Sequence, residues 1–471
     1  MPELKERTSN IMPKKKRTEA GRDLTNGNIF GELIRFAVPL FGANMLQAFY
    51  SITDMLVVGR TLGSTGLVAV GNASMVAFVV NSLCIGVTLG GTVLVARHKG
   101  AGDERGLQET VGTLFAVSTS AAAIITAAGL ASSRTLFELM KIPGPAFHDA
   151  VGYMNVIFAG TFFVFGYNAV CSIMRGLGDS RNPLIFVAVA AAINIVLDLI
   201  LVGPVGLGTR GAAWATVVSQ AVSFAAATIH LRREGLDIRP LGFAVRTDKL
   251  RALLGVGLPA AAQMVVVNLS YLAVTGMLNA YGVAVAAAAS IGLKVNTFVG
   301  MPCWAVGQAV TTMVGQNAGA AKTSRVEQTV KTGMRLNLAV TLAAAGIAQI
   351  MAEPVVALFD PANPEVLREG VRYLRICCSF NCLLYATMYT YDSFAIGMGA
   401  ASVAMYNSLL DSLAGRIGLS WLLSVVLGYG SFGIFLGQAL SSLLPALAGA
   451  FYFHKKTWKR RIPEKTPAEN G

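Results

Sequence analysis

Four acidic side chains sit where an acid is costly. Asp54 falls inside a long apolar run, in the stretch 46–55. Asp198 and Asp411 lie in two other runs, each preceded by an asparagine four residues earlier, Asn194 and Asn407. Asp392 lies in a fourth run. A charge at the centre of a membrane helix costs roughly 2.5–3.5 kcal/mol by insertion scales, so each such residue points to a function or a partner. A spacing of four residues puts Asn194 and Asp198 on one helical face. An amide oxygen and a carboxylate on one face can coordinate a hard cation such as Na⁺, or the carboxylate can carry a proton. Thr216, in the following run, offers a hydroxyl to the same site. The plainer alternative makes Asp54 an interfacial acid near Arg60, Asn194 and Thr216 interhelical hydrogen bonds, and Asp198 the partner of Arg210. An Asp beside an Asn on one face, with a second Asp on another span, favours an ion or proton site. In the second half, Asp411 with Arg416 or Lys294 reads equally as a buried structural ion pair or as a second titratable site facing a cleft. Asp392 has no acidic counterpart in the first half, where Ser172 aligns, and is a further candidate for the cleft wall.

The surroundings of these residues define the class of protein. The chain has 471 residues, 54% of them hydrophobic and only 13% charged, with a mean hydropathy of +0.59. That is about half the usual share of charge, too little to cover the surfaces of a soluble chain of this length. The apolar residues come in runs long enough to cross a bilayer as helices. Soluble enzymes and intrinsic disorder are excluded. The net charge of +13 raises nucleic acid as a partner, but the basic residues sit in short loops and in the tails, as membrane orientation and anionic headgroups require. The run Lys14, Lys15, Lys16 and Arg17 reads as part of a solvated tail, and no cleavable signal is expected. The cysteines Cys84, Cys171, Cys303, Cys377, Cys378 and Cys382 all lie in apolar runs without metal-ligand spacing and read as buried hydrophobes. No phosphate-binding loop occurs, and no nucleophile–base or metal constellation supports an enzyme. Met264, Met277, Met301, Met313 and Met388 could line an adaptable apolar wall, although core packing or lipid contact suits each one singly.

Twelve spans are expected, near 33–58, 68–96, 110–133, 150–174, 183–203, 211–231, 251–279, 284–316, 330–352, 370–396, 402–427 and 432–454. The fold class is an all-α polytopic membrane protein of two six-helix lobes: a tail 1–32, an N-lobe 33–231, a linker 232–250, a C-lobe 251–454 and a basic tail 455–471. Of the 38 Lys and Arg, 29 fall on the side that holds the N-terminus and 7 on the other, with Lys294 and Arg416 inside spans. This asymmetry places both termini in the cytoplasm and the chain in the cell membrane. The halves also resemble each other. Gly63, Ala69, Thr92 and Gly100 meet Gly282, Ala288, Thr311 and Gly319 at an offset of 219, and Val151 and Tyr153 meet Val371 and Tyr373 at 220. An even number of spans per half makes the repeats parallel, related by a pseudo-two-fold axis along the membrane normal. Pro39 and Pro259 take equivalent places and should kink their helices.

Three further pieces carry a family resemblance: span one with Pro39, Gln47, Tyr50, Asp54, Gly59 and Gly63; the loop Arg175, Gly176, Gly178, Asp179, Ser180, Arg181 and Pro183; and Gly315, Gln316, Asn317 and Gly319 after span eight. Over residues 30–455 the chain resembles the multidrug and toxic compound extrusion (MATE) family. The resemblance implies two six-helix lobes around a V-shaped cleft. It implies export of cationic or lipophilic compounds in exchange for Na⁺ or H⁺ (antiport with no other cofactor) by a monomer in contact with membrane lipids. It also implies a cation site, for Na⁺ or a proton, formed by Asp54, Asn194, Asp198 and Thr216 with the backbone carbonyl of Ala212. Candidates for the substrate cleft are Gln47, Tyr50, Gln263, Asn268, Lys294, Asp392, Asn407, Asp411 and Arg416. Some branches of the family carry a Glu in span seven, where this chain has only Gln263 and Asn268. The rival reading is a lipid or lipid-linked precursor flippase of the same architecture, its headgroups drawn by Lys294 and Arg416.

Overall fold

In the computed structural model the described residues are 21–236, 245–359 and 363–463. The basic run at 14–17, the middle of the linker (237–244) and the end of the basic tail (464–471) lie outside them. Every regular element among the described residues is a helix. Nine helices are long and apolar enough to cross a membrane, and a tenth span is the pair Gly144–Ala159 and Thr161–Gly176, bent by 49°.

Spans one and two differ from the sequence expectation. Instead of two helices joined by a loop over 59–67, one helical run, Ile29–Ala101, covers both. At 1.5 Å per residue a straight run of that length would exceed any bilayer several-fold, so it must turn. It does so at Gly63, whose φ of 65° and ψ of −156° belong to a region that is essentially glycine-only. The turn needs one residue because that residue lacks a Cβ. The other spans are Glu104–Leu139, Arg181–Leu201, Gly208–Arg233, Thr247–Asn279, Val283–Gly319, Thr323–Ile350, Ala401–Val426 and Gly430–His454, and the helices Pro364–Cys377 and Phe380–Gly397 take the place of the tenth expected span. They complete twelve, in the order read from sequence. Pro39 and Pro259 both lie inside helices. Within span eleven the helix widens into π-helix over Leu410–Leu419.

The two halves touch on the face where the described residues begin, at 21, and end, at 463. Gly100 packs on the backbone of Gln316, and Gly319 packs on the backbone of Arg97, with no room for a Cβ at either glycine. These four residues are two pairs related by the offset of 219, so the ends of spans two and eight cross by exchanging equivalent contacts, as a two-fold axis between parallel repeats demands. Further along, Gly86 meets Ala261 and Gly90 meets Leu253. Beyond these points, toward the face without termini, Phe78 and Val79 of span two and Leu269 and Leu272 of span seven are exposed. Each half keeps its own core near that face, around Val58, Phe137 and Phe158 in the first and around Val274, Tyr373 and Phe435 in the second. All six cysteines are free and buried.

Candidate ion site and its counterpart

Asp54 lies two turns before the Gly63 corner, Asp198 one turn before the end of span five, and Thr216 two turns into span six. Span five runs toward the corner and span six away from it, so all three lie in the halves of their helices nearest the face without termini. There the carboxyl groups of Asp54 and Asp198 stand side by side, close enough to share a hydrogen bond. An ionised carboxylate can only accept, so a hydrogen bond between the two acids requires a proton on one of them. Asp198 is fully buried and Asn194 nearly so. With its amide turned to suit both neighbours, Asn194 donates to Asp198 Oδ2 at 3.1 Å and accepts from the Thr216 N–H at 3.3 Å. Ala212 is fully buried one turn before Thr216, where helix geometry points its carbonyl toward the same N–H. The second oxygens of both acids, Asp54 Oδ1 and Asp198 Oδ1, are buried without a hydrogen-bond partner. Two unpartnered carboxylate oxygens beside an amide and a hydroxyl form a donor set suited to a hard monovalent cation or to protons.

Of the plainer alternatives, the interhelical hydrogen bond between Asn194 and Thr216 is present, whereas the two ion pairs are not seen among the described residues. Arg210 is occupied elsewhere, its Nη2 standing 3.3 Å from His148 Nε2. Asp54 takes Asp198 as its neighbour rather than Arg60. Two tyrosines complete the surroundings. Tyr50 and Tyr153 both stand close to the two acids. Tyr50 also lines, with Gln47, Tyr167 and Gln220, a small pocket beside the site. Tyr153 was not among the sequence candidates. Its signal was present as the repeat match with Tyr373, a tyrosine that occupies the corresponding place in the other half.

The second half uses the same positions differently. Asp411, buried, bonds Arg416 Nη2 at 3.0 Å and accepts from the Ser442 hydroxyl at 2.8 Å. The Arg416 guanidinium lies 4.1 Å over the ring of Tyr271. Asn407, the counterpart of Asn194, turns to Asp392 and donates to its Oδ1 at 2.7 Å. Asp411 is thus ion-paired with Arg416, while Lys294 is exposed apart from it. Asp392, Asn407, Asp411 and Arg416 are all buried within their half and do not line an open wall. Of the remaining cleft candidates, Gln47, Asn268 and Lys294 are exposed, and Tyr50 and Gln263 half-buried. Asn268 donates back to the Met264 carbonyl. Sequence reasoning missed two polar knots in this half. In one, Asn337 donates to Thr390 Oγ1 at 2.9 Å; in the other, the Trp304 indole donates to the Tyr385 hydroxyl at 3.0 Å.

Comparison with known proteins gives one consistent result. The family model described as MatE matches residues 39–200 and 259–422, one segment in each half. The chain is 27% identical over 437 residues to the probable multidrug resistance protein YpnP of Bacillus subtilis, covering 93% of this chain and 97% of that relative. It is 31% identical over 322 residues to the probable multidrug resistance protein YoeA of the same organism, covering 66% of this chain and 69% of the relative. A solved structure described as an outward-facing conformation of a multidrug resistance MATE family transporter matches with a TM-score of 0.87 at 22% identity, covering 93% of this chain and 97% of that one.

Proposed function

Since the chain belongs to the MatE family, a family of membrane transporters rather than enzymes, we propose that it is a secondary active exporter that moves organic cations or lipophilic drugs out of the cell in exchange for Na⁺ or H⁺. The observation that carries this reading is the contact between Asp54 and Asp198. Asp198 is buried and Asp54 half-buried, and each has a buried oxygen that the protein leaves unpartnered. Such a pair binds a small cation or protons and does little else. Coupling follows from linkage: the ion drives the cycle only through a different affinity for the two access states. Occupancy of the Asp54, Asn194, Asp198 and Thr216 site would favour the state that releases cargo outward. The protein would sit in the cytoplasmic membrane with both termini inside, which the 29-to-7 division of basic residues supports.

The flippase alternative asked Lys294 and Arg416 to draw anionic headgroups. Arg416 is neutralised by Asp411 at 3.0 Å, which leaves one exposed cation in this region and supports the exporter. Purified protein in liposomes, with Na⁺ and pH gradients imposed separately, provides the test. Efflux of an ethidium-like dye should follow one gradient and vanish in Asp54→Asn and Asp198→Asn. Dye efflux retained at the parent rate by both variants would remove the mechanism.

A further inference from the structure

Residues 21–27 precede span one, yet the second half of the chain holds them. Leu24 is fully buried in a core made with Val326, Val330 and Phe394. Its N–H donates to Gln316 Oε1 at 2.9 Å, and Asn317 Nδ2 donates to its carbonyl at 3.3 Å. Lys322 Nζ donates to the Thr25 carbonyl at 2.9 Å and to Asn26 Oδ1 at 2.9 Å. Arg325 Nη1 donates to the Gly27 carbonyl at 2.9 Å, and its Nη2 to the Asn26 carbonyl at 2.6 Å.

The same segment is tied to the first half. The Arg22 N–H donates to the Leu177 carbonyl at 2.8 Å, and Arg22 Nη2 meets Glu32 Oε1 at 2.7 Å. Gln316 closes the circuit. Its Nε2 donates to the Gly176 carbonyl at 3.0 Å while its Oε1 holds Leu24, so one buried amide of the second half grips both the strap and the loop between spans four and five. The Arg-Gly loop and the Gly-Gln-Asn stretch, which carry the family resemblance, are therefore the two faces of one contact.

We propose that residues 21–27 are a latch on the termini-bearing face, gripped by Gln316, Asn317, Lys322 and Arg325, whose release must precede opening of the space between the halves to that side. An apolar knob and several charge-assisted hydrogen bonds favour the closed arrangement, and hydrogen bonds to charged groups are the stronger ones. All the bonds named for Lys322 and Arg325 go to the strap. Removing those side chains therefore weakens the latch without touching the direct crossing of Gly100 and Gly319. The inference relies on the transporter reading only in that access alternates between faces.

The test is a distance, read independently of cargo or coupling ion. Probes attached through azide-bearing amino acids at the exposed positions Arg105 and Gln328 report the separation of the two halves on this face by energy transfer in liposomes. Lys322→Ala combined with Arg325→Ala should raise the ratio of the longer to the shorter distance class about tenfold over the parent. A distribution identical to the parent's would overturn the latch. A second protein carries Thr25→Cys, Lys322→Cys and Arg325→Ala, with the native cysteines replaced. Joining its two thiols with a bis-thiosulfonate reagent should abolish the longer class, and reductant should restore it. Persistence of the longer class in the joined protein would equally overturn the proposal, and reversal by reductant distinguishes a latch from misfolding.

Discussion

Asp198 and Asp411 stand at the same step of the two internal repeats, each four residues after an asparagine, but Asp411 bonds Arg416 at 3.0 Å whereas Asp198 faces another acid, Asp54. The duplication supplied two equivalent acids. A cation built into the chain occupies one, and the other keeps an oxygen free. Under the proposed function the first half would exchange an ion and the second would stay fixed, a division that follows from that difference.

If the first acid pair is the exchanging site, neutralising either member should stop ion-coupled efflux without harming the fold. Asp54→Asn and Asp198→Asn should each lower dye efflux in liposomes at least about tenfold, the consequence of losing the differential ion affinity. Their apparent unfolding temperatures in detergent should match or exceed the parent's, because a neutral amide of nearly the same shape lowers the cost of burying an ionisable group. Loss of the fold along with loss of efflux would contradict the assignment.

In the second half the expected sign is opposite. Arg416→Ala leaves Asp411 buried and unpaired, which should cost about 3–5 kcal/mol and lower the unfolding temperature markedly. Adding Asp411→Asn should recover most of that loss, since it removes the stranded charge. A double variant no more stable than the single would show that the pair is not the structural unit.

The Gly63 corner gives a backbone test. Gly63→Ala places a Cβ at φ of 65° and ψ of −156° and should destabilise the protein by about 1–3 kcal/mol. Gly71→Ala, where a Cβ would meet nothing within 4 Å, provides the control and should be neutral or slightly stabilising by helix propensity. Equal unfolding temperatures for the two variants would refute the corner's dependence on glycine.

A bridge on the termini-bearing face should titrate. His98 Nδ1 lies 2.8 Å from Asp103 Oδ2, and its Nε2 lies 3.1 Å from Lys249 Nζ across the boundary between the halves. A neutral ring satisfies both, donating to Asp103 and accepting from Lys249. Burial, then the Lys249 ammonium, and more weakly Arg97, hold the His98 pKa below its ordinary 6.5 despite Asp103. The backbone N–H of Gly106, and then His98 itself, hold Asp103 below its ordinary 3.8. A histidine so depressed binds fewer protons folded than unfolded. Its contribution is complete above 6.5 and is lost as pH falls through the lower native value. From about pH 7.5 to about pH 5.5 the parent should lose thermal stability that His98→Gln does not lose. Parallel curves for the two proteins would rule the bridge out as a contributor over that range.

Much of this was legible in the residues. The apolar runs and the shortage of charge gave the class and the number of spans, because nothing but a bilayer leaves so few charges so widely separated. The four-residue spacing of Asn194 and Asp198 gave a shared face. Other features were hidden for identifiable reasons. Asp411 and Arg416 are five residues apart, a spacing that an α-helix places well around its circumference. The π-helix over Leu410–Leu419, whose hydrogen bonds run from i to i+5, brings them to one side. The strap at 21–27 carries no periodicity at all, and its contacts with Gln316 and Lys322 span almost 300 positions.

The sequence by itself determined where the acids lie along their helices and that two repeats carry them, since helical period and hydropathy act locally. Only the tertiary structure decided which partner each acid takes. Asp54 meets Asp198 through the packing of helices distant in the chain, and Asp392 meets Asn407 across the turn between neighbouring spans. Partner choice for a buried charge depends on those neighbours, and equivalent positions in two halves can therefore hold opposite chemistry.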